Sequence, residues 1–131
     1  MFIDDFSRKV WVFMLKKKVD VFNIFKQFKA MVEKRIGKSI KCLRTDNGGE
    51  FTSLEFEQCC KDEGIVRHKT IVYTPQQNGV AERMNQTLME RARSMISNAN
   101  LQKELWVEVV STTCYLVNRS PSVEINCKIP E

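Results

Sequence analysis

Leu43-Arg44-Thr45-Asp46-Asn47-Gly48-Gly49-Glu50-Phe51 reads as a short strand that ends on an acid and breaks at once into a turn. The glycines let backbone approach a ligand closely. Thirty-five residues separate Asp46 from a second acid, Glu82, in Tyr73-Thr74-Pro75-Gln76-Gln77-Asn78-Gly79-Val80-Ala81-Glu82-Arg83. That stretch is a polar loop opening into a helix, with Glu82 on the first turns. Each acid alone has an ordinary role: Asp46 as a turn former, Glu82 as an acid favoured by the helix dipole. The pair is more specific. Hard oxygen ligands on rigid elements, beside a loop that admits a phosphate backbone, make a divalent-metal site for phosphodiester chemistry. Asp46 and Glu82 are therefore the candidate catalytic and metal-binding residues. Asn47 and Asn78 offer amides to phosphate oxygens.

Outward from these motifs, residues 2–3 are a stub of strand, 4–9 are turn chemistry, and 10–15 are rich in strand formers. Asp20 is placed to cap a helix over 21–36, where Val21, Phe25, Phe28 and Val32 share one face and Gly37 ends it. A strand over 39–45 leads to Asp46. Thr52 or Ser53 caps a helix to residue 62, which Gly64 stops, and a strand over 65–70 follows. Residues 72–79 read as loop, 80–98 as a long helix. A last helix over 103–118 has Leu105, Trp106, Val109, Val110, Thr113 and Leu116 as its buried face, before an irregular tail. A hairpin followed by alternating helices and strands gives an α/β chain, a mixed sheet flanked by helices.

At 131 residues the chain is one domain at most, with 43% hydrophobic and 28% charged residues, as in globular proteins. A net charge of +5 favours a polyanionic partner. No run of about 18 apolar residues exists, so no membrane span is expected, and residues 1–5 carry no signal-peptide pattern. Five cysteines without CxxC spacing fit free thiols in a reducing compartment. His68 is the one histidine, which argues against zinc.

The whole chain resembles the integrase catalytic core of copia-type LTR retrotransposons, and more distantly the retroviral integrases. The stretches that carry this are Asp4-Asp5-Phe6-Ser7-Arg8-Lys9-Val10-Trp11-Val12, the two acid motifs, and Leu105-Trp106 through Tyr115-Leu116-Val117-Asn118-Arg119-Ser120-Pro121. The resemblance implies an RNase H-like fold and a D,D(35)E site in which two Mg²⁺ or Mn²⁺ ions serve 3′-end trimming and transfer of element DNA into target DNA. It makes Asp46 the second acid and Glu82 the third, and places Asn78 at the element's DNA end. The family's first acid lies on a central strand preceding the hairpin. On this reading the chain lacks that strand and its acid, holds at most one ion, weakly, and does not join DNA. Asp4 and Asp5 belong to the turn and do not replace it.

The core is expected over residues 1–100, with 101–131 continuing it. Arg83 and Arg93 on the long helix are candidate phosphate contacts. Expected partners are element and target DNA and further copies of the chain, and the expected location is the nucleus or a cytoplasmic virus-like particle. The alternative function is a decayed or domesticated copy that binds nucleic acid without catalysis; an RNase H-like nuclease fits the motif spacing less well.

Overall fold

The computed structural model describes residues 1–70 and 79–130. They contain strands β1 (Phe2–Ile3), β2 (Val10–Trp11), β3 (Cys42–Thr45) and β4 (Val66–Lys69), and helices α1 (Val21–Ile36), α2 (Leu54–Asp62), α3 (Gly79–Asn98) and α4 (Trp106–Val117). The chain divides into two compact units, Leu15–Gly79 and Met1–Met14 with Val80–Glu131.

In the Leu15–Gly79 unit, β3 and β4 pair in parallel with Cys42 opposite Val66 and Thr45 opposite Lys69. Parallel neighbours need a crossover, and α2 supplies it. Ser53 starts α2 by accepting a hydrogen bond from the Phe56 amide at 3.2 Å. Gly64 ends it at φ +67, a left-handed conformation that glycine adopts without a Cβ penalty. Phe56 from α2 is the hub of the core. Its ring lies 4.9 Å from Phe25 and 5.6 Å from Phe22 of α1, and 5.9 Å from Phe51. Phe25 and Phe28 are buried as the 3.6-residue period requires.

Two details of this unit differ from the sequence reading. Asp20 makes no side-chain cap; it closes a 3-10 turn, Lys18–Asp20, that runs straight into α1. The strand expected from residue 39 starts at Cys42, because the Ile40 amide donates to the Glu33 side chain instead of to a ladder.

In the other unit, β1 and β2 form an antiparallel hairpin, Phe2 opposite Trp11 and Ile3 opposite Val10. Its turn is the expected one: Asp4 Oδ2 accepts from the Ser7 amide at 2.8 Å, and Asp5 pairs with Arg8 at 2.9 Å. The strand expected over 10–15 pairs only at Val10–Trp11, since β1 offers two residues; beyond it Phe13 meets the Phe2 ring edge-on. Val10 packs with Leu88 of α3 and Val117 of α4, while Ala92, Val109 and Val110 form a second cluster.

Asn118 takes the outward groups of Val10, accepting from its amide at 2.9 Å and donating to its carbonyl at 2.8 Å. Residues 103–105 form a 3-10 turn, so α4 begins only at Trp106 and Leu105 is exposed. Within α4, Val117 follows Val110 and Thr113 at i+7 and i+4 and is buried, while Leu116 is exposed. The tail is more ordered than expected: Ser122 bridges Lys128 around a 3-10 turn at Val123–Ile125. No helix among the described residues is long and apolar enough to cross a membrane.

Candidate active site

Asp46 sits one residue past the end of β3. The strand tip is anchored at Thr45, which is buried and whose carbonyl accepts from both the amide and the hydroxyl of Thr70 at 3.0 and 3.1 Å. Asp46 itself is exposed. Its Oδ1 accepts from the Gly48 amide at 2.9 Å, an Asx turn that aims the carboxylate across the loop.

Two side chains approach Gly48 closely. Its φ is −57, an ordinary value. A Cβ on it, however, would lie 2.9 Å from Asp46 Oδ1 and 2.8 Å from Glu50 Oε2. Two carboxylates therefore close around one bare Cα. These are hard oxygen donors, the chemistry that Mg²⁺ and Mn²⁺ favour over His or Cys, so the end of β3 fits a divalent ion with water completing its shell. Glu50 was not singled out from the sequence; the signal was an acid four residues after Asp46 across two glycines.

Asn47 donates its Nδ2 to the Thr70 carbonyl at 2.7 Å, so part of the amide expected to face phosphate ties the loop to the end of β4. Asn78 lies outside the described residues, as does most of the loop that precedes α3.

Glu82 and Arg83 lie in the first turns of α3, both exposed. The helix N-terminus favours a negative group at Glu82. Arg83 and Arg91 line a shallow cavity of about 250 Å³ with Arg8, Thr87, Ser122 and Glu124. Arg8 is held there by Asp5 and by Glu124 at 3.4 Å. Arg93 is exposed farther along α3. Of the helix face containing Glu82, Gln86, Met89 and Arg93, Met89 turns inward to the Val109–Val110 cluster, and Gln86 donates to Glu90 at 2.8 Å. Asp46 belongs to one compact unit and Glu82 to the other. Among the described residues, no three or more His, Cys, Asp or Glu side chains are grouped to hold a metal.

A family model, "Integrase core domain", matches residues 1–75. The chain is 56% identical over 130 residues to the Retrovirus-related Pol polyprotein from transposon TNT 1-94 of Nicotiana tabacum, covering 99% of this chain and 10% of that protein. It is 34% identical to the corresponding polyprotein from transposon RE2 of Arabidopsis thaliana, over 99% of this chain and 9% of that one. The chain thus spans about a tenth of the length of these relatives. Among solved structures, it is similar to a simian T-cell lymphotropic virus intasome chain, with a TM-score of 0.68 and 24% identity over 88% of this chain and 40% of that one. It is also similar to the HTLV-2 integrase catalytic core domain in complex with magnesium, in its dimeric form, with a TM-score of 0.62 and 23% identity over 89% of this chain and 71% of that one. The fold of the described α/β elements is that of retroviral integrase catalytic cores.

Proposed function

The chain belongs to the integrase core domain family, and from that premise we propose that it is the acid-bearing core of a polynucleotidyl transferase that inserts copia-type element DNA into target DNA. The observation that carries this is the end of β3, where Asp46 and Glu50 set two carboxylate oxygens around Gly48. Asp46 and Glu82 are the metal-bearing and catalytic acids of this reading. Asp46 holds one carboxylate oxygen against the Gly48 amide and is itself exposed. Glu82 extends from the first turn of α3. A bound Mg²⁺ or Mn²⁺ supplies charge stabilisation at the reacting phosphate and lowers the pKa of coordinated water. Asn47 and Asn78 orient the strand end, and Arg83 and Arg93 bind backbone phosphates. Element DNA, target DNA and further copies of the chain are the partners, in the nucleus or in a cytoplasmic virus-like particle.

The magnesium of the HTLV-2 core structure and the intasome of the simian virus chain support a divalent metal and an assembled complex for the family. Two-ion transfer needs acids that bridge both ions. On this reading these 131 residues are expected to hold at most one ion, weakly, and not to join DNA unaided.

The test is titration of the 131-residue chain with Mn²⁺, alongside Asp46→Asn and Glu82→Gln, and a joining assay on duplex ends. Weak binding of one ion, lost in Asp46→Asn, is expected, together with no joining. Unchanged Mn²⁺ binding in both variants removes the metal reading and leaves a non-catalytic nucleic-acid-binding module. Efficient Mg²⁺-dependent joining, abolished by Asp46→Asn, overturns the claim of inactivity.

A further inference from the structure

We propose that Arg67 is a positioning residue for Asp46, shaping the loop that receives the cation; this rests on the reading of Asp46 as a metal-bearing acid. Arg67 lies in β4 opposite Leu43 of β3. Its guanidinium spans the two ends of the acid loop. Nη2 donates to Thr45 Oγ1 at 3.1 Å, on the residue just before Asp46. Nη1 donates to the Phe51 carbonyl at 2.7 Å, on the residue just after Glu50. The plane itself is seated on Phe56, with Cζ 4.7 Å from the ring centroid. One rigid fork thus fixes the separation of the ends of a five-residue loop whose other bonds are mostly internal to residues 46–52. Those internal bonds run from Gly48 to Asp46, from Phe51 to Gly48 and from Thr52 to Gly49; Asn47 adds a tie to Thr70.

Two features separate this from ordinary core support. The Arg67 Nε is buried without a hydrogen-bond partner. A buried charge left partly unsatisfied stabilises a fold poorly, and an apolar side chain of similar length often does as well or better. What an apolar chain cannot do is hold two oxygens at a set spacing, which the planar guanidinium does and a lysine does not. The second feature is the sign of the charge. A cation hydrogen-bonded to the residue that precedes a metal-binding carboxylate repels the metal, so a purely electrostatic Arg67 weakens cation binding, whereas a positioning Arg67 strengthens it.

The experiment is Mn²⁺ titration of the ¹⁵N-labelled 131-residue chain, read as paramagnetic broadening of the amide signals of residues 46–51. Thermal melting is followed in parallel. Arg67→Met is expected to raise the Mn²⁺ dissociation constant by about tenfold, the lower end for residues that orient metal ligands, with the melting temperature unchanged or higher. Thr45→Val removes one grip with no change of charge and raises the constant in the same direction. Arg67→Lys recovers part of the loss. If Arg67→Met binds Mn²⁺ as well as or better than the unaltered chain while Asp46→Asn abolishes binding, the positioning role is overturned. If Arg67→Met does not fold, an unchanged constant in Thr45→Val overturns it. If Asp46→Asn leaves the broadening as it was, the reading of Asp46 as the metal-bearing acid falls, and this inference with it.

Discussion

At Gly48 a side chain would meet Asp46 Oδ1 and Glu50 Oε2, which close over its Cα. Gly48→Ala therefore forces the Glu50 side chain to swing away, and it strains the Asx turn. A loss of about 1 kcal/mol is expected, as for a mild overpacking, with weaker Mn²⁺ binding. A melt and a titration equal to those of the unaltered chain would show that the carboxylates are not held around the glycine. Cysteine chemistry offers a second check. Burial pushes the Cys60 and Cys114 thiols up, so less of each is thiolate near pH 8. Cys42 and Cys127 are exposed. Iodoacetamide labelling followed by peptide mapping should modify Cys42 and Cys127 first and leave Cys60 and Cys114 for last. Fast labelling of Cys60 in the folded chain contradicts the Phe56-centred packing around it.

Elements were legible where their cause is local. The α1 face, the Ser53 cap, the left-handed Gly37 and the turn at residues 4–9 each depend on residues within a few positions. Their ends were less legible where a distant group takes over, as Glu33 does from the Ile40 amide. Asn118 illustrates the energetics of such a long-range bond. It satisfies both outward backbone groups of the buried Val10. Asn118→Ala leaves the Val10 amide unpaired and its carbonyl only the weak Cys114 Sγ donor at 3.4 Å, which costs about 1–3 kcal/mol, measured by urea unfolding; a loss near zero would mean that water replaces the amide freely. The phase of α4 gives a paired test. Val117 is buried and Leu116 is 47% exposed. Val117→Ala is expected to cost roughly 1–3 kcal/mol as a cavity in the core, and Leu116→Ala less than about 0.5 kcal/mol as a surface change. The reverse order restores the face read from the sequence.

Across the whole molecule, a charge of +5 and exposed Arg83 and Arg93 set the expectation for DNA. If both arginines contact phosphate, replacing the pair with Gln flattens the salt dependence of duplex binding by about 1.8 in log–log slope, near 0.9 per contact. Fluorescence anisotropy between low and moderate salt measures this, and an unchanged slope assigns both to solvation alone. The sequence by itself determined what short-range physics controls. That covers which segments are helix and strand, the aromatic face of α1, and an acid placed one residue beyond a strand and another on the first turn of a helix. Its motifs also sufficed to identify the family. Only the tertiary structure decided that Glu50 joins Asp46 around Gly48, that Arg67 grips both ends of that loop, that Asn118 completes β2, and that Val117 rather than Leu116 enters the core. Each of these depends on side chains that meet through folding, at distances and helix phases that hydrophobic period and motif spacing do not encode.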